Sequence, residues 1–298
     1  MGEKDITEKI LEDYNDIFSD IVNVLLFDGE QRVHENSLVN VAVHSQYKDD
    51  KDKLHEQERD VAKYWKERDI EIALYGIENQ TEIERRMPLR IFGYEGASYR
   101  MQFDKKKVAP VITLVLYFGT EKRWNSSRNL KDLIEIPEDL EHYVNDIHVN
   151  IFEVAWLSKE QIDKFTSDFR IVANFFANKR KNRDYVPDDK TTIKHVDELL
   201  KLLSAMTGDY RYNKILANRE EVKNMCDVAQ RLEDRGMQKG LQQGRSEGLI
   251  EGGNQMIYSL VQDKIISSEI GAQRLGITVE KLKANMVNTG FKYPDNEE

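Results

Sequence analysis

Residues 111–118, VITLVLYF, form an almost unbroken apolar run rich in β-branched side chains. The run is far shorter than a membrane span and lacks the alternation of a half-buried strand. It predicts a strand buried on both faces. Its surroundings supply further elements. IEIALYGIE at 70–78 alternates and then turns apolar, as a strand entering a core does. HVNIFEVAW at 148–156 alternates as another strand. Ile6, Ile10, Tyr14, Ile17, Phe18, Ile21, Val24 and Leu25 follow the helical period up to Asp28-Gly29. Residues 83–103 read as helix despite Gly93 and Gly96, and residues 158–178 as helix with Ser158 as N-cap. Residues 54–65 fit a helix through Leu54, Val61, Ala62 and Trp65, or equally a short strand at 59–65.

The second part of the chain has another character. No proline occurs between 188 and 293, which permits long helices. KRKNRDYVPDDKTT at 179–192 is charged and apolar-poor, and reads as a linker after a first domain at 1–178. Helices are expected at 193–206 and 213–235, the latter closing a helical segment at 193–235. Then Gly236, Gly240, Gly244, Gly248 and Gly252 recur every four residues, defining a glycine-repeat helix at 236–253. Each glycine costs a helix roughly 1 kcal/mol. The repeat therefore suggests close approach of another helix, and self-association through this C-terminal region, or else a half-helical tether. Residues 265–287, within a small module at 254–298, have helix-turn-helix spacing around Leu275-Gly276-Ile277-Thr278. That module either packs or reads DNA.

The 44 basic and 54 acidic side chains give a net charge of −10, which argues against nucleic acid until it is divided along the chain. Residues 1–50 hold 4 basic and 12 acidic side chains, whereas residues 85–131 hold 11 basic and 3 acidic. The lone Cys226 excludes an intramolecular disulfide and a cysteine-based zinc site. No signal peptide, lipidation signal or membrane span is visible, so a cytoplasmic protein without membrane contact is expected.

Three residues stand out chemically. Glu78 and Gln80 are two apart on a predicted strand and share a face. Asp60 lies 18 residues before Glu78, where a neighbouring hairpin strand would run. Two carboxylates converging at a sheet edge suit a hard cation such as Mg²⁺ (or Mn²⁺), and the backbone carbonyl of Asn79 adds an oxygen donor. Arg85, Arg86, Arg90, Lys105, Lys106, Lys107, Lys122 and Arg123 follow and suit a phosphate backbone, although solvated faces carry such clusters too.

The run RDVAKYW…IALYGIENQT…MPLRIFGYEGASYRMQ…VAPVITLVLYFGTEKRW resembles the Rpn recombination-promoting nucleases, also called YhgA-like putative transposases, of the PD-(D/E)XK superfamily. The likeness covers roughly residues 10–180. It implies an α/β, restriction-endonuclease-like core, a central mixed sheet flanked by helices, followed by an α-helical C-terminal region. It also implies a strand at 59–65. In catalytic terms it places Asp60 and Glu78 as metal ligands and Gln80 where the superfamily has lysine. Asp16, with Asp20 behind it, becomes the candidate for a first-helix acid. The implied activity is metal-dependent DNA endonuclease chemistry linked to recombination or defence against mobile DNA. Lys179, Arg180, Lys181 and Arg183 join the DNA-binding set. The rival is a catalytically weak, oligomeric DNA- or protein-binding adaptor.

Overall fold

The computed structural model describes residues 10–41, 44–48, 54–58, 60–67, 70–216 and 222–294. The chain divides into two compact units, Met1–Gln230 and Arg231–Glu298.

The first unit is α/β. Its sheet has five strands, in the order β1 (Leu38–Asn40), β4 (Val61–Glu67), β5 (Ile70–Gln80), β6 (Val111–Tyr117) and β7 (Asn150–Glu153). The pairs β1–β4 and β4–β5 are antiparallel, while β5–β6 and β6–β7 are parallel. The remaining described strands, β2 (His44–Lys48) and β3 (Leu54–Glu58), form a separate antiparallel pair. The apolar run at 111–117 is central strand β6, and every residue in it except Ile112 is buried. The ambiguous stretch at 54–65 holds β3 and then β4 from Val61, with residue 59 outside the described residues, and the register of β4 with β5 pairs Val61 with Ile77.

Helices cover the sheet. Helix α1 (Asn15–Phe27) buries Ile17, Phe18, Ile21, Val22 and Val24. It ends where Asp28 and Gly29 take positive φ, a conformation that favours glycine. Ile6, expected in the same helix, lies outside the described residues. Helix α2 (Met87–Arg100) crosses from β5 to its parallel neighbour β6, with Pro88 in the first turn. The strand expected over 148–156 is shorter, because Val154–Trp156 winds into a 3-10 turn. Its Ala155 carbonyl accepts a bond from Arg180 Nε, and Trp156 Nε1 donates to the Gly119 carbonyl.

The helix expected over 158–178 is two: α3 (Lys159–Asp163) and α4 (Phe169–Lys181). Between them the amides of Thr166 and Ser167 donate to Asp20. The buried Asp168 carboxylate accepts from the amides of Lys194 and His195. The stretch at 179–192 is tied into this unit. It starts inside α4, buries Pro187, and accepts the Met225 amide at the Asp189 carbonyl. Helices α5 (Val196–Thr207) and α6 (Arg211–Ile215) follow.

Helix α7 (Met225–Gln262) runs from the first unit into the second and carries the whole glycine repeat. Residues 217–221, within the helix expected over 213–235, lie outside the described residues. In the second unit, α8 (Ser268–Leu275) and α9 (Val279–Asn288) bury Ala272, Leu282 and Met286 against Tyr258 and Val261 of α7. Side-chain caps from Ser267 and Thr278 open these two helices, and Gly276 at positive φ closes α8. Gly271 lets α8 approach closely: a Cβ there would sit 2.6 Å from Val261 Cγ2. No helix among the described residues is long and apolar enough to cross a membrane.

Candidate active site

The pairing of Val61 with Ile77 sets the site, since extending that antiparallel register by one residue puts Asp60 across from Glu78. The two strands are locked there by a side chain, for the Asn79 amide donates to Asp60 Oδ2 at 2.7 Å. Glu78 is buried and Asp60 half-buried. Gln80 shares the Glu78 face and donates from Nε2 to Glu78 Oε1 at 3.1 Å.

Arg90, in the first turn of α2, reaches the same oxygen: its guanidinium lies 2.5 Å from Glu78 Oε1. Arg90 Nε also donates to Tyr94 Oη at 2.9 Å. Burial, with the Glu78 charge beside it, raises the Tyr94 phenol above its ordinary pKa.

On the other side of β5, Asn79 points away from Glu78 and donates from Nδ2 to Glu12 Oε1 at 3.1 Å. Glu12 belongs to a 3-10 turn, Leu11–Asp13, just before α1. It is fully buried, and its Oε2 has no hydrogen-bond partner among the described residues. Burial pushes its carboxyl up to about 7, and the Asp60 charge adds to the rise. The turn is pinned from below by the buried Lys63 of β4, whose Nζ donates to the Asp13 carbonyl at 2.8 Å.

Among the described residues, no three His, Cys, Asp or Glu side chains gather as a ready-made metal cage. The alternation of β5 gives the reason, for it divides Glu78 from Glu12 with Asp60 at the strand end between them. Mg²⁺ needs no such cage, because it keeps several waters and is held by one or two carboxylates plus substrate phosphate. Asp60, Glu78 and the Asn79 carbonyl are a hard-oxygen donor set of that type. Glu12, reached through Asn79, leaves one buried carboxylate oxygen without a hydrogen-bond partner among the described residues.

Asp16, expected as the first-helix acid, is engaged elsewhere: Lys194 Nζ lies 2.7 Å from its carboxylate and His195 Nε2 3.1 Å. Burial works against ionisation there, but these two partners hold its pKa below the ordinary value. Asp20 caps the connection between α3 and α4. The acid of this N-terminal segment that reaches β5 is Glu12, through Asn79, and not Asp16.

The basic residues fall into two groups. Lys105 pairs with Glu71 at 2.5 Å, Arg183 with Glu121 at 2.9 Å, and Arg90 with Glu78. Arg180 and Arg123 lie over the Trp156 ring, at 4.3 Å and 5.0 Å. Arg85, Arg86, Lys106, Lys107, Lys122 and Lys181 are exposed. A cleft of about 590 Å³ opens beyond the C-terminal ends of β5 and β6, and Arg85, Lys122 and Lys179 meet in its lining.

Residues 71–207 match the family described as "Putative transposase, YhgA-like". No curated protein and no solved structure matches the chain. The YhgA-like segment includes Glu78, Gln80, Arg90 and the basic stretch. Glu12 and Asp60 precede it, and the structure joins them to it through the two Asn79 hydrogen bonds.

Proposed function

We propose that this protein is a Mg²⁺-dependent DNA endonuclease acting in recombination or in defence against mobile DNA. The observation that carries this reading is the register that sets Asp60 across from Glu78 at the end of β5, Glu78 lying within the stretch that matches the YhgA-like family. Asp60, Glu78 and the Asn79 carbonyl would hold the ion. An ion held by these residues would supply activation of a water and offset negative charge on the phosphodiester. Gln80 is neutral. Its Nε2 is committed to Glu78, which leaves its carbonyl oxygen to orient a water. Arg90 stands within reach of the same site to steady a phosphate oxygen once it releases Glu78. The exposed Arg85, Arg86, Lys106, Lys107 and Lys122 contribute the sequence-independent attraction for the DNA backbone.

Calorimetric titration tests the site directly. The wild type is expected to bind Mg²⁺ or Mn²⁺, and Asp60→Ala or Glu78→Ala to lose the binding. Equal binding by all three proteins would overturn the assignment.

A second reading is an oligomeric adaptor with weak or no catalysis, assembled through α7. Among the described residues, a Cβ at any of Gly236, Gly240, Gly244, Gly248 and Gly252 would meet nothing within 4 Å. The next row of that helix exposes Met237, Leu241 and Leu249. Small residues beside an apolar ridge suit a second helix, and a homo-oligomer through this region serves either reading.

A further inference from the structure

Helix α2 has two apolar faces, and among the described residues only one is covered. Met87, Ile91, Tyr94 and Ser98 pack inward. On the outer face Leu89 is 47% exposed, Phe92 52% and Tyr99 43%, and Phe103 in the turn that follows is 86% exposed. Phe92 and Tyr99 are seven residues apart, which places them on one stripe about 10 Å apart along the axis.

The stripe is held in place. Tyr99 Oη accepts the Val111 amide at 3.1 Å, which fixes the ring while leaving it exposed. The turn bearing Phe103 is clamped by the fully buried Gln102. Its Oε1 accepts the Ala109 amide at 2.7 Å and its Nε2 donates to the Ala109 carbonyl at 3.2 Å. Exposed cations border the aromatics: Arg85 and Arg86 before the helix, Arg100 at its end, Lys106 and Lys107 after the turn. At its start the helix touches the candidate site through Arg90 and Glu78.

We propose that the outer face of α2 is a binding platform for single-stranded DNA, on which bases stack against Phe92, Tyr99 and Phe103 while the bordering cations hold the phosphates. The inference rests on the nuclease reading, and it names the state of the substrate. Exposed rings next to cations are the composition that binds a single strand. A duplex keeps its bases stacked internally and offers such rings nothing to stack on. A second copy of this chain fits less well. Residues 85–108 hold seven Lys and Arg against two acidic residues, so two copies docked through α2 would bring like charges together. A polyanion answers that charge.

Fluorescence anisotropy with a labelled 20-nucleotide single strand, and with the same sequence as a duplex, tests the platform on the full chain without divalent metal. The Phe92→Leu/Phe103→Leu variant keeps apolar bulk and removes the rings. Its single-strand affinity is expected to fall at least tenfold with duplex affinity within twofold of wild type. Phe92→Trp/Phe103→Trp is expected to retain wild-type single-strand affinity. Single-strand affinity unchanged in the leucine variant, or an equal fall on both DNAs, would overturn the platform. So would a wild-type dimer that Phe92→Asp/Phe103→Asp converts to monomers in light scattering. If the wild type binds neither DNA, the nuclease reading fails with it. If the wild type cleaves DNA and the leucine variant binds unchanged, the platform alone fails.

Discussion

Glu12 is the residue whose protonation the fold controls most visibly. Its carboxyl is buried and pushed from 4.5 up to about 7. Between those pH values the unfolded chain has lost the proton and the folded chain keeps it. The unfolded state binds fewer protons, so stability falls as pH rises through this window and stays low above it. The loss amounts to about 3 kcal/mol, at 1.4 kcal/mol per pH unit. Denaturant melts of Glu12→Gln are expected to lose most of this slope and to exceed wild-type stability at pH 8. An unaltered pH slope would show that Glu12 titrates normally. Arg90 makes the complementary case. Glu78 is buried and Arg90 half-exposed, so Arg90→Gln removes one cation from beside a buried carboxylate at a cost of about 2 kcal/mol. A lowered Tm is expected, with a larger gain on adding Mg²⁺ than wild type shows. A variant as stable as wild type would mean the ion pair carries no weight. The strand that sets Asp60 across from Glu78 is implied only by the family resemblance, since the spacing at 54–65 fits a helix as well. The shared face of Glu78 and Gln80 was legible in the sequence because strand alternation is local. Glu12 was not, since LEDYND offers several acids and only the Asn79 contact selects one.

At the scale of elements, hydrophobic pattern carried the reading where burial is continuous. VITLVLYF is a central strand because nothing polar interrupts it. The pattern failed where a tertiary hydrogen bond ends an element. Residues 158–178 keep helical spacing, yet Asp20 draws the amides of Thr166 and Ser167 out of the helix. Ambiguity at 54–65 is resolved by strand pairing, of β3 with β2 and of β4 with β5, contacts that no periodicity encodes. Helix α7 supports its own prediction. Space is open at Gly244 and Gly248, so Gly244→Leu/Gly248→Leu fits the isolated helix and raises its propensity by roughly 1 kcal/mol per site. If this stripe packs against a second copy, helicity by circular dichroism holds or rises while the mass in light scattering drops. A mass unchanged by both leucines would exclude the stripe as an oligomer contact.

For the whole molecule, the formal charge of −10 says little about its partner. The acidic excess lies in the first 50 residues, and part of it is spent internally, on Lys194 and His195 by Asp16 and on backbone amides by Asp20. The basic stretch instead leaves Arg85, Arg86, Lys106 and Lys107 exposed around α2, which begins at the candidate site. A net negative chain thus presents a cationic surface where the proposed chemistry takes place. The most direct measurement is nicking of supercoiled plasmid with Mg²⁺ by wild type, Asp60→Ala and Glu78→Ala. The wild type is expected to yield open circles, stopped by chelation, with both variants slower on the order of a hundredfold. Nicking by both variants at the wild-type rate, or undiminished in excess chelator, would contradict a metal-dependent nuclease site at Asp60 and Glu78.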